Sequence, residues 1–164
     1  MRTYVGVLVA LLALAGCGSS GSDDAASPSS SSTAADAVLT TADSDLGEIV
    51  VDAEGMTVYV FDRDTAGSGA SACTDACLAN WPAVTADDDA PAVDGIDGEV
   101  GTIERDDGTL QVTLDGLPLY TYAADSDAGD VTGQGVQDIW WAVSPDGAKI
   151  SGTAPSEPAP VPGY

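Results

Sequence analysis

Displacing the chain against itself by 61 positions brings two stretches into register without a gap. Gly47, Ile49 and Val51 fall on Gly108, Leu110 and Val112, and Gly55, Met56 and Val58 fall on Gly116, Leu117 and Leu119. Tyr59, Phe61 and Asp64 then fall on Tyr120, Tyr122 and Asp125. Both copies end near tryptophan, Trp81 in the first and the Trp140-Trp141 pair in the second. This is a tandem duplication, and the fold has to be made from one unit used twice.

Each copy reads as a β-hairpin. In the second, TLQVTL and LPLYTY flank Asp115-Gly116, a strong signal for a two-residue turn. In the first, EIVV and MTVYVF flank the looser Ala53-Glu54-Gly55. Asp106-Asp107-Gly108 and Pro145-Asp146-Gly147 mark two more turns. Thr74 to Trp81, with Asp75 in its first turn and Pro82 behind it, predicts one short helix in the first copy alone. Alternation puts Tyr59 and Phe61 on one face of their strand and Val58 and Val60 on the other, so that strand is covered on both sides. Aromatic residues are few, and each buries roughly 150–250 Å² when enclosed, so they carry much of the core. The expected fold is all-β: a compact antiparallel domain over 46–151, with repeats at about 46–84 and 99–150 and one short helix.

The flanks read as non-folding. Arg2 precedes an apolar run, Val5 to Ala15, that is shorter than the ~20 residues a membrane span needs. It fits a secretory signal peptide over 1–16. The ending Leu14-Ala15-Gly16-Cys17 resembles the bacterial lipobox, in which the cysteine thiol receives a diacylglycerol, which makes Cys17 the expected lipidation site. More than one acyl chain, palmitate-like in length, anchors stably where a single chain does not. Residues 17–45 are small and polar and read as a flexible Ser/Ala/Asp tether. Residues 152–164 read as a Pro-rich tail.

With Cys17 lipidated, the three cysteines leave Cys73 and Cys77 as a pair, which outside the cytoplasm defaults to a disulfide. The formal net charge is −23, there is no histidine, and Arg63, Arg105 and Lys149 are the only basic residues of the domain. Nucleic acid is excluded as a partner, because nothing neutralises phosphates. An anionic membrane surface repels the domain, so attachment falls to the lipid on Cys17. A cationic ligand or a basic protein patch is compatible with the charge, as is simple solvation.

The stretches Tyr59-Val60-Phe61-Asp62-Arg63-Asp64 and Tyr120-Thr121-Tyr122-Ala123-Ala124-Asp125 share the pattern Tyr-x-aromatic-x-x-Asp. With CTDACLANWPAV at 73–84, GTIERDDGTLQVTLDGLPLY at 101–120 and GDVTGQGVQDIWW at 129–141, they resemble a bacterial lipoprotein family, the secreted repeat of unknown function with its Yx(F/W/Y)xxD motif. The resemblance implies a lipid-anchored extracytoplasmic protein with two or more repeats and no established activity.

Two roles are open for Asp64 and Asp125. They are functional acids or ligands, or they are turn-forming carboxylates that accept N–H bonds behind the strand; the turn-forming residues that follow favour the second. Asp125, Asp127, Asp130 and Asp138 are a candidate calcium set, although Gly129 precedes Asp130 and Val136 stands where an EF-hand has its glutamate. Cys73 and Cys77 are spaced C-x3-C rather than as a redox C-x-x-C, and closing so short a loop contributes roughly 2 kcal/mol. Without histidine or a free thiol the inventory for catalysis is thin, so the expected protein is not an enzyme and holds no cofactor. The sequence favours a non-catalytic binding or scaffolding protein at the outer cell membrane face, with a protein or cell-wall partner. The alternatives are a calcium or cation module built on the 125–138 loop, and an extracytoplasmic redox accessory using Cys73 and Cys77.

Overall fold

The structure is a computed structural model, and it describes residues 37–152. The expected signal peptide, Cys17, the first part of the tether and nearly all of the Pro-rich tail lie outside the described residues. Eight strands follow in order: β1 (Leu39–Ser44), β2 (Gly47–Asp52), β3 (Tyr59–Phe61), β4 (Thr85–Ala86), β5 (Val100–Glu104), β6 (Leu110–Leu114), β7 (Leu117–Pro118) and β8 (Trp140–Ala142). All ladders between them are antiparallel: β1 with β2, β3 with β8, and β6 with β4, β5 and β7.

The domain starts earlier than 46. Leu39–Ser44, read from its polar composition as tether, pairs with β2 from Leu39↔Asp52 to Ser44↔Gly47 and buries Leu39 completely. One buried leucine and a full ladder of backbone bonds suffice to order a strand whose other side chains are small and polar.

The predicted helix is also absent. Over 74–81 the bonds Cys77 N to Thr74 O, Leu78 N to Asp75 O and Asn80 N to Cys77 O close successive turns, and Asp75 sits at φ 49°. An eight-residue helix barely offsets its nucleation cost, and here the Cys73–Cys77 disulfide holds the Cα atoms 5.3 Å apart. Among the described residues the one helical element is a single 3-10 turn, Val136–Asp138.

The turns of the second copy follow their sequence signals. Asp115 and Gly116 have φ of 49° and 76°, left-handed at both central positions, which makes the type I′ turn that matches strand twist. In the first copy Asp52 N donates to Met56 O and Val58 N to Val50 O, so the chain does fold back on β2. It then parts from β2 at Tyr59, whose strand joins β8 instead.

That strand divides the interior. Val58 and Val60 lie with Leu39, Val50, Val84, Val112, Leu114, Leu119 and Val143 in an aliphatic core. Tyr59 and Phe61 lie with Ile49, Val51, Cys73, Trp81, Tyr120, Trp140 and Ala142 in an aromatic one. The period-two alternation of the strand assigns each side chain to its core.

Candidate functional site

The repeated motif meets itself at the centre of the molecule. Tyr59 and Tyr120 face each other across an antiparallel bridge, with Tyr59 N donating to Tyr120 O at 2.7 Å and Tyr120 N to Tyr59 O at 3.0 Å. From this point the side chains exchange copies. The Tyr59 hydroxyl donates to Asp125 Oδ2 at 2.8 Å, and the Tyr120 hydroxyl donates to Asp64 Oδ2 at 2.7 Å. Each tyrosine therefore meets the aspartate of the other motif.

The rings follow the same rule. Phe61 stacks on Trp140 at 4.2 Å between centroids, Trp140 on Trp81 at 3.8 Å, and Trp81 on Tyr122 at 4.2 Å. The result is a four-ring column in which the outer ring of each copy covers the tryptophan of the other. Tyr59 then meets Trp81 edge-on at 5.5 Å and Tyr120 meets Trp140 edge-on at 5.2 Å, flanking the column from either side. Aromatic pairs of these geometries contribute about 0.5–1.5 kcal/mol each beyond their buried area.

The aspartates have a second task. Asp64 Oδ1 accepts Ala72 N at 2.6 Å, and Asp125 Oδ1 accepts Thr132 N at 2.9 Å together with the Thr132 hydroxyl. Each carboxylate thus closes the loop behind its own motif with one oxygen and holds the opposite tyrosine with the other. Burial, reinforced by the Asp125 carboxylate, pushes the Tyr59 phenol above its ordinary range. Burial raises Tyr120 as well, with Ser71 opposing and Asp64 reinforcing. Burial also raises the Asp64 carboxyl, against the bonds from Ala72 and Tyr120.

Cys73 and Cys77 form a disulfide, with Cys73 buried against the aromatic core. Of the proposed calcium set, Asp125 is committed through both oxygens, and Asp130 Oδ2 accepts Ser126 N at 2.9 Å and Asp127 N at 3.0 Å. Those backbone bonds hold the Asp130 carboxyl below the usual range. Asp127 and Asp138 are exposed, and no three acidic, histidine or cysteine side chains converge as a metal set among the described residues. A hollow of about 410 Å³ is bordered by Val38, Asp52, Glu54, Thr85 and Thr121, away from the Tyr–Asp pairs. There burial raises Asp52, whose Oδ1 accepts the N–H of Glu54 and Met56.

Sequence reasoning missed the three cations as structural parts. Arg105 donates to the Gln111 side chain and, at 2.9 Å, to Cys73 O, joining the second copy to the disulfide loop of the first. Lys149 pairs with Asp62 at 2.6 Å, and Trp141 Nε1 donates to the same carboxylate at 2.9 Å. Partial burial would raise Asp62, but Lys149 and Trp141 outweigh it and hold the group low. Arg63 lies over the Phe61 ring at 5.9 Å. Their scarcity in so acidic a chain was the one available signal.

Fold and site together define a tandem-repeat all-β module whose motif residues face inward, each copy completing the other. A family model described as "Secreted repeat of unknown function" matches residues 40–85 and again 101–144. The chain belongs to this family, and as such it is an exported protein. No curated protein and no solved structure matched. Among the described residues no helix is long and apolar enough to cross a membrane.

Proposed function

We propose that the protein is a lipid-anchored, extracytoplasmic, non-catalytic binding module that presents an acidic surface to a cationic protein or cell-wall partner. The observation that carries this reading is where the polar groups go. The motif tyrosines and aspartates hold one another, and Arg63, Arg105 and Lys149 each engage a neighbour within the domain. Arg63 and Lys149 stay at the surface, but carboxylates far outnumber them, on a chain whose net charge is −23. Such a field attracts cations over about a Debye length, ~10 Å at 0.1 M salt. Cys17 supplies the anchor, and the Ser-rich stretch after it supplies reach.

Two measurements test it. The full chain is expected to partition into the detergent phase and a Cys17→Ser variant into the aqueous one; equal partitioning removes the anchor. Carboxylate-directed crosslinking on cells is expected to capture a basic neighbour at low salt and to lose it at high salt. Capture indifferent to salt counts against the electrostatic reading.

A further inference from the structure

The two copies make their defining contacts with each other. Tyr59 needs Asp125 and Tyr120 needs Asp64; Phe61 covers Trp140 and Tyr122 covers Trp81; β3 pairs with β8. Thr57 adds a bond to Asp130 O at 2.5 Å, and Arg105 one to Cys73 O. A copy standing alone exposes one face of its tryptophan and leaves its tyrosine hydroxyl and one oxygen of its aspartate without the partners they have in the intact chain.

The covalent connection stays out of the Tyr–Asp and ring exchange but leans on both copies: Ala92 O accepts Val38 N, Asp94 N donates to Leu39 O, and Asp97 N and Gly98 N donate to Pro145 O. It runs from Ala86, the end of β4, to Val100, the start of β5, and residues 87–90 are exposed. The side-chain bonds of that exposed stretch are Asp88 Oδ1 accepting Ala90 N and Asp89 Oδ1 accepting the Thr102 hydroxyl at 3.4 Å. Its role is to hold the copies at high effective concentration.

We infer that each repeat is a recognition half whose binding surface is shaped for another repeat, and that this surface accepts a repeat from a second copy of the chain. The single chain is a dimer of halves joined by a linker. Two chains pair by trading halves, with every Tyr–Asp bond and ring contact preserved across the new interface.

The first test inserts a protease recognition sequence between Asp88 and Asp89 of the full chain and cuts it after folding. The two pieces are expected to stay together as a 1:1 complex whose melting temperature rises with concentration, as an associating pair requires. Isotope-labelled and unlabelled cut proteins, unfolded together with the disulfide intact and refolded, are expected to give mixed complexes by native mass spectrometry. Pieces that separate, or that never re-form a complex, overturn the inference. A second test uses uncut chains. A Trp81→Ala chain and a Trp140→Ala chain, unfolded and refolded together, are expected to form a heterodimer with one fully intact composite unit. That unit melts near the temperature of the unaltered protein, a transition absent from either variant alone. A mixture that melts as the simple sum of its two components also overturns it.

Discussion

The hydroxyl of Tyr59 reaches across 66 positions of sequence to a carboxylate oxygen of Asp125, 2.8 Å away, and both residues are buried. Removing the donor strands that oxygen. Tyr59→Phe is expected to destabilise the domain by about 1–3 kcal/mol, because a buried acceptor left unpaired costs more than the bond contributed. Asp125→Asn with Tyr59→Phe is expected to show a coupling of about 0.5–3 kcal/mol in a double-mutant cycle by chemical denaturation. An additive pair of mutations would mean that the two groups are neighbours without being partners.

The tyrosines also set an alkaline limit. In the unfolded chain a phenol ionises near 10, whereas burial keeps Tyr59 and Tyr120 protonated above that pH in the folded state. The folded form therefore holds more protons than the unfolded one, and stability falls as pH rises past 10. The expected loss is up to about 1.4 kcal/mol per pH unit for each tyrosine. Absorbance at the phenolate band, followed against circular dichroism, is expected to show these two tyrosines ionising only as the domain unfolds. Ionisation of all tyrosines before any loss of structure would contradict the buried pairing.

Gly133 is a packing test of the same site. A β-carbon built there would stand 2.7 Å from Tyr59 Cζ and 3.0 Å from Trp81 Cη2. Its N–H also donates to the Tyr59 hydroxyl at 3.2 Å. Gly133→Ala is expected to cost about 1–3 kcal/mol through overpacking, read as a lowered melting temperature. Gly108→Ala is the control for a strained turn without crowding, since Gly108 has φ 83° and nothing within 4 Å of a β-carbon.

The acidic 125–138 loop offers a fourth measurement. Asp125 and Asp130 already spend carboxylate oxygens on hydrogen bonds within the protein. No three acidic side chains converge there among the described residues, so millimolar calcium is expected to leave the melting temperature where chelator leaves it. A clear upward shift would mean binding to the native state and would return this loop to the list of sites.

Much of this architecture was legible because it rests on local rules. Alternation alone placed Val58 and Val60 opposite Tyr59 and Phe61, and the two faces do lie in different cores. Asp115-Gly116 specified its own turn. Leu39–Ser44 was not legible, because its order comes from a ladder with β2 rather than from its own residues. The segment 74–81 carried helix signals that a disulfide and a left-handed Asp75 override. Above all, spacing shows that Tyr59 and Asp64 recur together, but which aspartate a tyrosine meets is a long-range fact. The repeat gave the parts and concealed the crossing.

One consequence of the ring column is optical. Trp81 and Trp140 are parallel within 3° at 3.8 Å, close enough for their electronic transitions to couple, and any in-plane rotation between the two indoles turns that coupling into an exciton couplet in the ultraviolet dichroism. One indole comes from each copy, so the couplet registers contact between halves rather than order within either. Trp141, half-buried on the other face of β8 against the aliphatic core, supplies a reference outside the column in the same chain. The protein carries its own docking gauge, readable without a label.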